Sequence, residues 1–263
     1  MHYVMNYNIA WGRANGGTNL QLQADERIDQ LKSQGIQIIQ SKSVFAFSLD
    51  AVLLADFAEV GPKSRVVDLA AGNGAVGLFV APKTDEDVTL VELQPRLADM
   101  AQRSAVLNDL DNRVHVLNID LADTWQYVEK DSVDVVTCNP PYFKVRPGDV
   151  QNPNEALALA RHELTTNFDM VAAITSGLLK TGGKTFIVHR PDRLEELLHT
   201  LRVHDLAPKR IRFVHPKAGR EANMVLIEAR RSGKPDGIRI LPPVVVYDDN
   251  GEYTSEVAAL LHD

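Results

Sequence analysis

The sequence predicts an α/β fold built on a doubly wound, mostly parallel sheet of seven strands. Apolar runs of strand length alternate with helical segments along most of the chain, which is typical of parallel sheets with helical crossovers. A glycine-rich loop follows the first strand of this series, and the sequence Asn139-Pro140-Pro141-Tyr142, called NPPY below, follows the fourth. Because open α/β sheets hold ligands beyond the carboxyl ends of their strands, we expect these two loops to form a binding site.

The predicted elements form one main unit with short flanking segments. We expect a mobile polar tail over residues 1–23, a main domain over 24–231, and a linker with a short extension over 232–263. We predict strands at residues 35–40, 65–70, 88–92, 113–118, 133–138, 184–189, 210–215 and 223–229, the last two as an antiparallel closing pair. We predict helices at residues 50–59, 75–81, 95–109, 154–161, 168–179 and 191–203. Gly182 and Gly183 are expected to end the helix over 168–179.

Composition excludes several classes of protein. The 263 residues carry 28 lysines and arginines against 35 aspartates and glutamates, a net charge of −7, so the chain is not a general nucleic-acid coat. Cys138 is the one cysteine, which excludes an intrachain disulfide and a cysteine-based zinc cluster, and we expect no bound metal. The N-terminal residues lack the apolar stretch of a signal peptide, and no apolar run reaches membrane-spanning length. We therefore expect a cytoplasmic protein without a membrane partner.

The NPPY sequence predicts a stiff loop that presents hydrogen-bond acceptors. A proline has no N–H and a fixed φ, so this segment can neither continue a strand ladder nor enter a helix interior. The Asn139 side-chain oxygen accepts hydrogen bonds, and the Tyr142 ring can stack on a planar group. Such a loop suits a flat substrate with an exocyclic NH₂ group, such as adenine or a carboxamide.

The glycine loop by itself fits more than one cofactor. Gly72, Gly74 and Gly77 satisfy the pattern G-x-G-x-x-G. Glu92 follows about twenty residues later at the end of the second strand, where a carboxylate can hold a ribose diol. This is also the fingerprint of a dinucleotide site, so a dehydrogenase is one interpretation.

Two further carboxylates favour a different cofactor. Asp68, four residues before Gly72, would repel a pyrophosphate, but it suits the amino group of a methionine moiety. The loop is also longer than a tight phosphate-binding turn. Asp120 is predicted to end the third strand, where it can accept a hydrogen bond from an adenine amine. We therefore favour S-adenosylmethionine over NAD.

In their order along the chain, these motifs resemble those of class I S-adenosylmethionine-dependent methyltransferases, whose fold is Rossmann-like. Residues 48–54, 213–223 and 241–243 extend the likeness to the bacterial tRNA1(Val) (adenine-37-N6)-methyltransferase family, and the resemblance covers residues 25–257. It implies methylation of the exocyclic N6 of an adenine in tRNA, at A37 of tRNA1(Val). The residues expected to bind S-adenosylmethionine are Asp68, Gly72, Gly74, Glu92 and Asp120.

The resemblance also implies roles for the NPPY sequence in catalysis. The Asn139 side-chain oxygen and the Pro140 carbonyl would accept the two N–H groups of the adenine amine, which directs the nitrogen lone pair at the methyl group. Tyr142, together with Phe143, would sandwich the base after it has left its stack.

A basic cluster near the end of the sheet is a candidate RNA contact. Lys209, Arg210, Arg212, Lys217 and Arg220 fall within twelve residues of an otherwise acidic chain. Lysine and arginine contacts to phosphates supply most of the sequence-independent affinity for nucleic acid. We expect Lys209, Arg212, Lys217 and Arg220 to contact the tRNA backbone, although a solvated surface gives the same pattern.

Three other functions remain open. A release-factor glutamine methyltransferase presents the same planar nitrogen to an NPPY loop, but such enzymes usually carry a larger helical domain than the short segment before Asp50 allows. An rRNA guanine-N2 methyltransferase is a second alternative. A non-catalytic RNA-binding protein on a methyltransferase scaffold is the third, and the retained carboxylates argue against it.

Overall fold

The computed structural model describes residues 21–31, 33–41, 49–140 and 168–262. Most of the expected tail, the predicted helix over 154–161, and Pro141, Tyr142 and Phe143 lie outside these ranges. Within the described ranges, no helix is both long and apolar enough to cross a membrane.

The described chain begins with a hairpin and continues into a nine-stranded sheet. The hairpin pairs β1 (Glu26–Leu31) with β2 (Ile36–Ser41). The sheet contains β3 (Val66–Leu69), β4 (Val88–Glu92), β5 (Val114–Asn118), β6 (Val133–Cys138), β7 (Leu179–His189), β8 (Leu206–Lys217), β9 (Met224–Arg231), β10 (Arg239–Ile240) and β11 (Val244–Tyr247). The helices are α1 (Leu49–Phe57), α2 (Ala75–Val80), α3 (Pro95–Leu107), α4 (Phe168–Leu178), α5 (Leu194–Val203) and α6 (Ser255–His262).

The strand order confirms the predicted doubly wound fold. Across the sheet the order is β5-β4-β3-β6-β7-β9-β8, and β10 and β11 both pair with the outer edge of β8. Strands β3 to β7 are parallel to one another, whereas β9 is antiparallel to both β7 and β8. The antiparallel closing pair is therefore β8 and β9. The structure adds β10 and β11 to the seven predicted strands.

Apolar side chains cover both faces of the sheet. Leu54 of α1, Phe79 of α2 and Leu90 of β4 belong to one buried cluster. Leu178 of α4 and Leu197 of α5 belong to another on the opposite face. Because successive strand residues point to opposite faces, strands buried on both sides are nearly continuous apolar runs. These runs are the pattern from which the strands were predicted.

The structure corrects the prediction at the α4–β7 boundary. The helix ends at Leu178 and β7 begins at the next residue, so Gly182 and Gly183 lie inside the strand rather than after the helix. The register of β6 against β7 shifts between Val133 and Val135, which leaves the glycines in a bulge. Gly182 has φ +81°, which a residue with a side chain rarely adopts.

Strand β1 was not predicted, because its mixed polar pattern has no apolar run. It is held by a buried ion pair in which Arg103 Nη2 of α3 lies 2.7 Å from Glu26 Oε1. Asn73 of the glycine loop donates to the Ile39 carbonyl of β2, so the hairpin also contacts the loop. The hairpin therefore packs against two elements that border the candidate site.

Candidate active site

The carboxyl ends of four neighbouring strands bring most of the predicted site residues to one edge of the sheet. Leu69, at the end of β3, is in register with Val91 of β4 and with Cys138 of β6. Glu92, at the end of β4, is in register with Asn118 of β5. Asp68, Glu92, Asp120 and Asn139 therefore all lie at or just before this edge, where open α/β sheets place their ligands.

The loop between β3 and α2 requires glycine at specific positions. Gly72 and Gly74 have φ values of 59° and 83°, in the left-handed region. A Cβ on Gly74 would lie 2.9 Å from the Ala101 Cβ, and a Cβ on Gly77 would lie 2.0 Å from Leu90 Cδ2. Gly74 and Gly77 therefore let the start of α2 approach α3 and β4 closely.

Asp68 is buried beside this loop and is hydrogen-bonded to two other elements. It is 1% exposed. Its Oδ1 accepts from the Thr137 hydroxyl of β6 at 2.7 Å, and its Oδ2 accepts from the Gly77 amide of α2 at 3.0 Å. Burial raises the pKa of Asp68 to about 7, although both hydrogen bonds favour the ionised form.

Glu92 connects the glycine loop with the end of β4. The Gly72 amide donates to Oε2 and the Gln94 amide donates to Oε1, both at 2.8 Å. Burial raises the pKa of Glu92. The Leu93 amide also hydrogen-bonds to this carboxylate. Glu92 therefore fixes the end of β4 relative to the glycine loop, and an ionised carboxylate only accepts hydrogen bonds.

Asp120 has a local role in addition to its position at the edge. β5 ends at Asn118 rather than continuing to Asp120 as predicted. The Asp120 side chain accepts from the Ala122 amide at 2.9 Å and so caps the short 3₁₀ helix Leu121–Gln126. The cap holds the carboxylate next to the end of β5.

The first half of the NPPY sequence follows β6 directly. Asn139 is half-buried and Pro140 is buried, whereas Tyr142 and Phe143 are outside the described residues. Cys138, at the end of β6, is fully buried, and burial raises its thiol pKa well above the usual value. The thiol therefore stays protonated and packs as a small apolar group.

Sequence reasoning missed Thr137 as a site residue. Thr137 is in register with Asp68, a residue 69 positions away in the chain, and is 0% exposed. A threonine in a buried strand gives no local signal of function. Its role becomes visible only once β3 and β6 are paired.

His189, at the end of β7, is a buried neutral residue near the same edge. Its Nδ1 accepts from the Arg190 amide at 2.8 Å, and its ring packs edge-on against Phe168. Burial and the nearby Arg193 charge lower its pKa to about 4. His189 is therefore uncharged at neutral pH.

Part of the basic cluster is engaged within the protein. Lys209 Nζ donates to the backbone carbonyls of Lys234 and Asp236, and Arg212 forms an ion pair with Glu256. These contacts tie β8 to the C-terminal segment. Both side chains therefore have partners within the protein.

The other members of the cluster differ in exposure. Arg210 forms ion pairs with Glu59 and Glu228 and is largely buried. Lys217, the last residue of β8, and Arg220, in the turn between β8 and β9, are in contrast exposed. Because β8 runs parallel to β7, this turn lies at the same edge of the sheet as Asn139.

A family model for the methyltransferase small domain matches residues 36–201, more than half of the chain. The chain belongs to the methyltransferase small domain family. It is accordingly an enzyme of the methyltransferase class. The matched range runs from β2 into α5 and includes the carboxyl ends of β3 to β7.

Curated relatives of this methyltransferase resemble it over most of their length. A protein of Shewanella baltica named tRNA1(Val) (adenine(37)-N6)-methyltransferase is 24% identical over 219 residues, covering 83% of this chain and 91% of the relative. A protein of the same name from Actinobacillus pleuropneumoniae is 26% identical over 230 residues, covering 85% and 93%. One from Phocaeicola vulgatus is 25% identical over 178 residues, covering 68% and 74%.

Solved structures agree with the fold of this methyltransferase. The crystal structure of a predicted O-methyltransferase, protein Atu636 from Agrobacterium tumefaciens, aligns with TM-score 0.64 and 25% identity, covering 80% of this chain and 94% of that one. The structure of the transferase PH0793 from Pyrococcus horikoshii aligns with TM-score 0.57 at 16% identity, covering 80% and 74%. The second likeness concerns the fold alone.

Proposed function

We propose that this methyltransferase transfers a methyl group from S-adenosylmethionine to the exocyclic N6 of an adenine in tRNA, at A37 of tRNA1(Val). The observation that carries the proposal is the position of Asn139 and Pro140 at the end of β6, the strand next to the one that bears the glycine loop. The names of the relatives, which match up to 85% of the chain, support the choice of substrate.

The residues present fit S-adenosylmethionine. The Glu92 carboxylate is proposed to accept from the ribose hydroxyls, as an acceptor-only group at the end of β4 beside the glycine loop. Asn73, in the glycine loop, is 0% exposed, and its Oδ1 has no hydrogen-bond partner within the described ranges, so it is an available buried acceptor. Asp68 and Gly74 shape the loop, and Asp120 is the proposed acceptor for the adenine amine of the cofactor. When bound, the cofactor supplies an electrophilic methyl group on a sulfonium.

The NPPY sequence orients the substrate amine. The lone pair of an adenine N6 is delocalised into the ring, which makes the nitrogen a poor nucleophile. The Asn139 oxygen and the Pro140 carbonyl accept its two N–H groups, so the lone pair is directed toward the methyl donor. Tyr142 and Phe143 hold the flipped base between their rings.

Lys217 and Arg220 are the proposed phosphate contacts. Both are exposed, and β8 is three strand spacings from β6, about 14 Å across the sheet. A tRNA phosphate at that distance from the flipped adenine would contact these two side chains. Lys209 and Arg212 would contribute only after giving up the contacts described above, so we assign them a smaller share of the binding.

The test is incubation of the purified chain with labelled S-adenosylmethionine and total tRNA, followed by nucleoside analysis. We expect label in N6-methyladenosine and in tRNA1(Val). Label only in a protein fraction containing release factors would identify the glutamine methyltransferase instead. Label only in guanine of rRNA would identify the second alternative, and an absence of cofactor binding by calorimetry would leave the non-catalytic scaffold.

A further inference from the structure

A buried hydrogen bond joins the two halves of the candidate site. Thr137 and Asp68 are paired in the β3–β6 register and are 0% and 1% exposed. The Thr137 hydroxyl donates to Asp68 Oδ1 at 2.7 Å. Thr137 lies two residues before Asn139, whereas Asp68 lies just before the glycine loop.

Asp68 is also hydrogen-bonded to the first turn of α2. Its other oxygen accepts from the Gly77 amide at 3.0 Å. The carboxylate therefore connects three elements, β3, β6 and α2, and the glycine loop spans the gap between two of them. A change in its charge or position would alter the loop at both ends.

We propose that Thr137 is a positioning residue of the methyltransferase site, whose hydroxyl holds the Asp68 carboxylate in place and so maintains the cofactor-binding shape of the glycine loop. The proposal rests on the proposed function for its cofactor. It adds a residue that touches neither the cofactor nor the substrate.

The environment of Asp68 favours the protonated carboxyl, so the hydrogen bond from Thr137 affects its protonation state. Burial disfavours the carboxylate, and Glu92 of β4 disfavours it further by repulsion. The neighbouring Cys138 of β6 is a protonated thiol, and α2 carries no titratable side chain. Thr137 contributes the larger of the two hydrogen bonds that oppose these effects and hold the pKa of Asp68 to about 7.

The sign of the expected pH dependence follows from this pKa. Below about pH 7 the carboxyl of Asp68 is protonated and is a weaker acceptor for the Gly77 amide, so cofactor affinity falls as the pH falls through 7. Without the Thr137 hydroxyl the pKa of Asp68 rises further, and the loss of affinity begins at a higher pH.

The experiment compares Thr137→Val with the wild type by two measurements. A carboxyl-carbon NMR titration of the cofactor-free protein reports the Asp68 pKa, and calorimetry reports the affinity for S-adenosylhomocysteine from pH 6 to 9. We expect the Asp68 midpoint to rise by about one to two pH units, since a hydrogen bond to a charged group is lost. We expect affinity to fall about tenfold at pH 7, with a difference that narrows as the pH rises to 9.

Two matched variants separate positioning from packing. Thr137→Ser keeps the hydroxyl and should retain the wild-type pH profile. Thr185→Val makes the same change at another fully buried strand threonine, whose hydroxyl has no partner within the described ranges, and should leave the profile unmoved. An unshifted Asp68 midpoint in Thr137→Val, or an affinity loss equal at every pH, would overturn the proposal. If the wild type binds no S-adenosylhomocysteine, the proposed function fails, whereas the NMR titration still decides whether Thr137 controls Asp68.

Discussion

At the scale of single residues, the site combines a buried carboxylate pair with an acceptor loop. Asp68 and Glu92 were predicted from their positions at strand ends, and the structure adds the amides of Gly77 and Gly72 as their partners. Both carboxylates therefore support the loop. Thr137 was not predicted, because its importance depends on pairing between distant strands.

Glu92→Ala is expected to weaken binding of S-adenosylmethionine. The change removes the proposed acceptor for the ribose diol and the partner of the Gly72 amide. We expect a loss of about 1.5–3 kcal/mol per hydrogen bond to the charged group, measured by calorimetry. Glu86→Ala, at an exposed position before the start of β4, is the matched control and should bind normally. Wild-type affinity in Glu92→Ala would remove Glu92 from the cofactor site.

Asn139→Ala is expected to abolish most turnover while leaving cofactor affinity nearly unchanged. Asn139 is proposed to act on the substrate amine, so its loss should lower kcat by about a hundredfold or more, the effect of removing one positioned polar group. The measurements are single-turnover methylation of tRNA and cofactor calorimetry. Asn250→Ala, in an exposed turn, is the control. Near-normal methylation by Asn139→Ala would contradict the mechanism.

At the scale of elements, the loop between β3 and α2 shows how local backbone geometry and tertiary packing act together. Its glycines were predicted as a ligand-binding pattern. The structure shows that Gly74 is also required by contact with Ala101 of α3. The α4–β7 boundary shows the opposite case, since two glycines typical of a helix end lie in a strand bulge instead.

Gly74→Ala should destabilise the protein more than Gly251→Ala. Both residues have nearly the same left-handed φ, +83° and +85°, so an alanine meets a positive φ at either position. Only Gly74 has a close neighbour, with the added Cβ 2.9 Å from the Ala101 Cβ, whereas nothing lies within 4 Å of a Cβ on Gly251. We expect an additional cost of about 1–3 kcal/mol in the free energy of unfolding, measured with urea. Equal costs would show that α2 can move away from α3.

At the scale of the whole molecule, the C-terminal segment extends the sheet beside the basic turn. β10 and β11 pair with β8, and Val257 of α6 is buried in the core. The same segment engages Lys209 and Arg212 through backbone carbonyls and Glu256. The exposed positive charge of the cluster is thereby concentrated at the β8–β9 turn.

Reversing the charges of Lys217 and Arg220 to Glu is expected to raise KM for tRNA without changing affinity for S-adenosylmethionine. Each lost phosphate contact should also reduce the salt dependence of binding, because fewer counterions are released. The measurement is methylation kinetics at two salt concentrations. A charge-matched control reverses the exposed Lys63 and Lys130, which precede β3 and β6 at the opposite edge of the sheet. An equal rise in KM for both pairs would mean that net charge alone controls binding.

The fold class, the order of β3 to β9 with the helices between them, and the two loops at strand ends followed from local sequence, whereas β1, β10, β11 and α6 did not. Apolar periodicity, glycine and proline act within a few residues, so a single chain reveals them. Tertiary structure decided three other features. It set the β3–β6 register that places Thr137 against Asp68, and it formed the ion pair that holds β1. It also gave Lys209 and Arg212 partners within the protein while leaving Lys217 and Arg220 exposed. Each of these features depends on contacts between residues far apart in the chain. The interaction energy of such a contact depends on which surfaces pack together, and the local sequence around one residue does not indicate its distant partner.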